Sequence, residues 1–204
     1  MPAHANFFYP KRFGYGEVWK RMGNKLGKRL KLKYEVKEID IKNKSVNKKY
    51  FAEKIIITAP WKGIRFVNKL PKEIQDCIDS LKYSSTRITY HNRIINTKAH
   101  WTYIPDNKIP EHRHLYRFNF IKNAKGYWTE TNEKRVKDFV AKSWQNEFAY
   151  PLNTIEKPIA IETVQNFFLK KSIFALGRWG EWEHMNSDVA VTKGLKLAQD
   201  LVKN

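Results

Sequence analysis

Residues 177–188 read Gly-Arg-Trp-Gly-Glu-Trp-Glu-His-Met-Asn-Ser-Asp, which puts two glycines, a cation, two indoles and a histidine in twelve positions. Glycine lets backbone come close to a ligand. Arginine presents a rigid fork of donors suited to phosphate or carboxylate. Imidazole can donate to a phosphate or carry a proton near neutral pH. Together these residues suit an anionic ligand. The plain alternatives are an Arg178 paired with Glu181 or Glu183 at the surface, and a His184 satisfied as a structural residue.

An anion site needs elements to position it. Asn186, Ser187 and Asp188 are helix-capping types, followed at helical spacing by Val191, Leu195, Ala198, Leu201 and Val202. The spacing predicts a helix starting there, with its first N–H groups and positive dipole end facing the Gly-Arg segment. Upstream, 17–30 reads as a helix, with Val18 or Trp19, Met22, Leu26 and Leu30 on one face. Residues 32–41 read as a strand around Val36 and Ile39, and 43–47 as a turn. The β-branched run 54–59, stopped by Pro60, predicts a strand buried on both faces. Between 61 and 171 the pattern predicts helices over 71–81 and 132–144 and strands over 86–95, 115–121, 127–131 and 160–168. That mixture is an α+β arrangement on an antiparallel sheet.

The 204 residues carry 42% hydrophobic and 14% aromatic side chains, enough to build a core rather than remain disordered. A single cysteine, Cys77, excludes an internal disulfide framework and fits a reducing, cytoplasmic setting. No apolar run has the length of a membrane span. The formal charge is +19, with 29 lysines to 10 arginines. The lysines are scattered, and only 25–37 and 42–54 are locally dense, a pattern of solvated faces rather than of a nucleic-acid site. His91, His100, His112 and His114 lack ligand spacing, so no metal is expected.

The 177–188 stretch and the helix after it resemble the C-terminal signature of FAD-dependent oxidoreductases of the amine oxidase and protoporphyrinogen oxidase superfamily, particularly the UDP-galactopyranose mutase-like branch. Further segments are similar to that family in the same order. They are Phe8-Tyr9-Pro10-Lys11 with Gly14 and Gly16 before a helix; Ile109-Pro110-Glu111-His112-Arg113 with Asn119-Phe120; Tyr127-Trp128-Thr129-Glu130-Thr131-Asn132; and Phe148-Ala149-Tyr150-Pro151-Leu152. The resemblance implies FAD contacts at Val36, Gly177, Arg178, Asn186, Ser187 and Asp188. It implies substrate contacts at Arg113, Asn119, Tyr150, Trp182 and His184, with Trp179 and Trp182 walling the pocket. Arg117 and Asn123 share the spacing of Arg113 and Asn119. His184 stands where mutase-like relatives tend to carry a tyrosine, a departure that bears on the substrate.

The superfamily's N-terminal GxGxxG turn is missing, and Gly14-Tyr15-Gly16 is a lone GxG. The chain therefore reads as the C-terminal half of a flavoenzyme: a partial FAD-binding domain over 1–60, a substrate subdomain over 61–171, and an FAD-contacting loop and helix over 172–204. Such a half would bind FAD and act only once an N-terminal dinucleotide-binding half is supplied, and would be a split subunit, a truncated frame or a non-enzymatic remnant. It implies a second chain bearing the dinucleotide-binding half, or self-association, with apolar surface exposed around Ile55 to Thr58 and on the C-terminal helix. The substrate expected is a small molecule, among them a nucleotide sugar, an amine or a porphyrinogen. The alternative of another class is a basic, aromatic-rich module that binds a polyanion or nucleic acid.

Overall fold

The computed structural model describes residues 8–137 and 142–203. In chain order the elements are helix α1 (Tyr15–Leu26), strands β1 (Glu38–Asp40), β2 (Ser45–Val46), β3 (Tyr50–Phe51), β4 (Ile55–Ile57) and β5 (Arg65–Phe66), and helix α2 (Lys72–Ser80). Next come strands β6 (Tyr83–His91), β7 (Trp101–Tyr103) and β8 (Glu111–Tyr116), the short helix α3 (Arg117–Phe120), and strands β9 (Tyr127–Asn132) and β10 (Ser143–Pro151). The chain finishes with helix α4 (Lys157–Leu169), strand β11 (Ile173–Ala175), the one-turn helix α5 (Gly177–Gly180) and helix α6 (Ser187–Lys203). The class is α+β, as the sequence pattern predicts.

These elements divide into two compact units, one from residues 8–34, 85–137 and 142–147, the other from 35–84 and 148–203. The division differs from the boundaries expected at 60 and 171. It groups α1 with the antiparallel sheet, and α2 and α4 with the short parallel strands.

In the first unit the sheet order is β10-β6-β9-β8-β7, with β6, β7, β8 and β9 paired antiparallel. A bulge interrupts β8 between Glu111 and Arg113. Residues 115–121 are not a strand throughout. The Asn119 amide donates to the carbonyls of Thr97 and Ala99 at 2.9 and 2.6 Å, and the chain makes the turn of α3. The helix expected over 132–144 is replaced by a 3-10 turn at Glu133–Arg135 and the start of β10, where pairing with β6 overrides helical spacing. Positions 138–141 of that expectation lie outside the described residues. Helix α1 ends at Leu26, before Gly27 at φ +55, and leaves Trp19, Met22 and Leu26 substantially exposed.

The second unit holds the apolar core. Ile39, Ile55, Ile57, Trp61, Ile74, Ile78, Leu81, Val164, Phe168, Ile173 and Trp182 are all buried in one cluster. Ala160, Val164 and Phe168 bury at i, i+4 and i+8, so 160–168 is a helix face and not the expected strand; its β-branched and aromatic content misled the reading. Ile74 and Ile78 do the same for α2, with Cys77 half-buried beside them. Strand β1 covers only Glu38–Asp40, which leaves Val36 in irregular chain and 43% exposed. Strands β1 and β5 are parallel, and β2 and β3 extend that sheet antiparallel.

Strand β4 pairs in parallel with β11 in a two-stranded sheet, Ile55 opposite Ile173 and Ile57 opposite Ala175. Ile55 and Ile57 are buried, but Ile56 is 44% exposed, so the strand is covered on one face and not on both. Helix α6 buries no side chain fully. Ala190, Gly194, Leu197 and Leu201 form its half-buried side, while the expected inward residues Val191, Leu195, Ala198 and Val202 face outward. Exposed apolar surface at Ile56 and along α6 is what the sequence reading anticipates.

Candidate functional site

The carboxyl ends of parallel β4 and β11, the turn of α5 and the N-terminus of α6 meet at one corner of the second unit. Leu176 N–H donates to Ile57 O at 3.0 Å, which ties the two strand ends together. In open α/β arrangements ligands bind beyond the carboxyl ends of the strands. The corner is therefore the place where a bound anion would meet the first turn of α6.

The two glycines here have different jobs. Gly177 sits at φ +75, and a Cβ there would meet nothing within 4 Å, so it faces open space. Gly180 is a packing residue, because a Cβ would come within 2.2 Å of Ile57 O. The Gly180 carbonyl also accepts from the buried Trp61 indole at 2.7 Å.

Arg178 does not pair with Glu181 or Glu183. Its Nε and Nη2 donate to Met185 O at 3.2 and 2.7 Å, and its guanidinium lies 5.3 Å from the Tyr150 ring centre. His184, exposed, stacks on the same Tyr150 ring with centres 5.3 Å apart and planes 28° apart. Tyr150, Arg178 and His184 are thus brought together from β10, from α5 and from the chain between α5 and α6.

Trp182 is a correction. It has 0% exposure, its indole donates to Lys82 O at 3.0 Å, and Trp179 meets it edge-on at 5.1 Å. It serves the core rather than a pocket wall. Asn186 and Asp188 are exposed at the start of α6 and Ser187 is half-buried. Sequence reasoning missed Lys193, whose ammonium pairs with Glu181 and, at 3.1 Å, with Glu183. Hydrogen bonding to Glu181 pushes the Lys193 pKa up despite partial burial. Glu181 also accepts from Gly177 N–H at 3.0 Å, so α6 clamps the loop through one carboxylate. No local signal announces a lysine that closes a loop this far upstream.

Arg113 and Asn119 belong to the first unit. Arg113 forms a two-point ion pair with the nearly buried Glu130, at 2.9 and 2.7 Å. Both Asn119 amide protons serve the loop at Thr97 and Ala99. Arg117 donates at 3.5 Å to Lys125 O, and its partner in spacing, Asn123, sits in a left-handed turn. Val36 lies before β1 rather than in a strand. Among the described residues no three His, Cys, Asp or Glu side chains cluster to hold a metal, and no helix is long and apolar enough to cross a membrane.

An α+β fold with one antiparallel sheet and a parallel strand pair leading into a long helix defines the class. Among solved structures it is shared with UDP-galactopyranose mutase in its reduced form, at a TM-score of 0.69 and 19% identity over 85% of this chain. The chain spans 47% of that protein's length. No protein-family profile matches the sequence, and no curated protein matches it either. The likeness is one of fold.

Proposed function

We propose that this chain supplies the substrate-side unit and the flavin-facing loop and helix of a mutase-like or oxidoreductase flavoenzyme, with the dinucleotide-binding half provided by other polypeptide. The reading rests on one observation: Gly177, Arg178, Tyr150, His184 and the exposed first turn of α6 gather at the carboxyl ends of β4 and β11, in a fold shared with a galactopyranose mutase.

The residues present fit one edge of an FAD. Gly177 leaves room for close approach, and Arg178 is bonded to a neutral carbonyl, so its charge is still available to a phosphate. Asn186, Ser187 and Asp188 would line the pyrophosphate side at the helix N-terminus. A bound flavin would supply the redox or nucleophilic step. The chain's own side chains would orient and exclude: Tyr150 as a platform, Arg178 as an anion contact, and His184 as a donor to substrate phosphate. A nucleotide sugar is the substrate class that uses all three.

Native purification with visible absorbance and mass identification of bound proteins tests the reading. A flavin spectrum with a companion chain bearing a GxGxxG turn supports it. A colourless preparation whose binding to nucleic acid falls steeply with salt favours the polyanion module instead.

A further inference from the structure

At the opposite end of β11 from that corner, five lysines from three separate segments surround a hollow of about 470 Å³. Lys42 and Lys44 come from the turn after β1, Lys69 from the chain after β5, and Lys170 and Lys171 from the end of α4. Ile41, Leu70 and Phe167 supply an apolar floor. No carboxylate lines it. Among the described residues none of the five lysines has an Asp or Glu oxygen within 4 Å.

Two acids on flanking segments have partners of their own. Asp40 accepts from the Asn43 backbone and amide at 2.9 and 2.8 Å. Asp76 is held by Lys72 at 2.6 Å. Glu53 lines a separate hollow that Lys42 and Lys44 also border.

The frame around the lysines is built. The Asn68 side-chain oxygen accepts from Ile41 and Lys42 N–H at 2.7 and 3.0 Å and fixes β1's exit against 68–70. Lys171 and Ser172 N–H groups close a tight turn on the carbonyls of Phe168 and Leu169, both at 2.9 Å. Scattered lysines on a surface mean little, but a concave wall of one sign focuses its field and raises the local concentration of counter-ions. Five lysines lining one hollow give it a single sign of charge that an anion would offset.

We propose that this hollow binds a ligand carrying two or more phosphate groups joined to an apolar ring system, the chemistry of a nucleoside di- or triphosphate. Lysine binds phosphate as a mobile point charge, and several together match a polyphosphate. The volume falls in the range of small-molecule sites, roughly 300–1,000 Å³. Phe167, Leu70 and Ile41 give the ring an apolar surface. The site is independent of the flavin corner.

Calorimetric titration of the full chain with ATP and with inorganic triphosphate tests it. Expected is saturable one-site binding that weakens with salt, with ATP the tighter of the two. Lys170→Glu/Lys171→Glu and Lys42→Glu/Lys69→Glu should each lose about tenfold or more in affinity. Lys25→Glu/Lys28→Glu, the same charge change on and beside α1, should stay within about twofold. Lys170→Gln/Lys171→Gln, a milder change, keeps the test open if a reversed charge disturbs folding. No binding, an equal loss in the 25/28 control, or a loss on Arg178→Ala in place of the hollow variants would overturn the proposal. Equal affinity for ATP and triphosphate would overturn the role of the apolar floor.

Discussion

In the unit formed by 35–84 and 148–203, the buried side chains are mostly aliphatic and aromatic, layered around Trp61, Phe168 and Trp182, with Glu38 and Ser45 the polar exceptions. Among the described residues of the unit formed by 8–34 and 85–147, the buried side chains are Tyr116, Tyr127, Thr86, Thr89, Thr129, Thr131 and Glu130. Their neighbours are charged: Arg113 grips Glu130, Arg87 pairs with Glu133, and Arg93 donates to the Tyr127 hydroxyl at 3.1 and 3.0 Å. One unit is held by area removed from water, the other by satisfied polar groups whose loss is costly. The contrast extends to the two arginines that sequence marks for ligand work. Arg113 is neutralised by a carboxylate, whereas Arg178 is held by a carbonyl and an aromatic face.

The comparison can be broken most readily in the apolar unit. Trp182→Ala empties a fully buried site and should cost about 3–5 kcal/mol in urea unfolding. A cost below about 1 kcal/mol would mean that the indole is not a core element. Next in size is Arg113→Ala, which leaves the buried Glu130 without its two-point partner and should cost about 2 kcal/mol. Arg178→Ala removes hydrogen bonds to one carbonyl and should cost only about 1 kcal/mol, while abolishing flavin or phosphate affinity at the corner. Reversal of that ranking would erase the distinction between a structural and a ligand-facing arginine.

A smaller effect separates the units by pH. Burial pushes His91 and His114 below the ordinary histidine value, with Arg93 adding to the lowering and Glu111 opposing it. The folded unit therefore binds fewer protons than the unfolded chain. The two histidines' contribution to stability is fully present above about 6.5 and is lost as pH falls through that value toward the folded pKa values. Urea midpoints should drop on acidification through this window, and drop less in His114→Gln. Smallest of all is Lys193→Met, at about 0.5 kcal/mol, since the clamp on Glu181 and Glu183 is half-exposed.

Much of this was legible from residue order alone. Periodicity located α2, β9 and α6, and the corner's own motif named Arg178, His184 and Gly177. Among what escaped, three cases show why. The 160–168 run has strand-like composition, and only tertiary burial at every fourth residue decides for α4. The twin glycines of the motif look alike, yet only the approach of Ile57 O distinguishes Gly180 from Gly177. The lysines look scattered because those around the hollow lie far apart in sequence, and the fold alone makes them neighbours.

The central claim is that the α5–α6 corner holds a flavin. The direct measurement is the flavin content, by visible absorbance per mole of chain, of wild type, Arg178→Ala and Arg113→Ala, each purified natively together with the GxGxxG-bearing half. The account predicts flavin in wild type and Arg113→Ala and its loss in Arg178→Ala, with all three chains folded. Flavin retained by Arg178→Ala, or absent from all three, would contradict it.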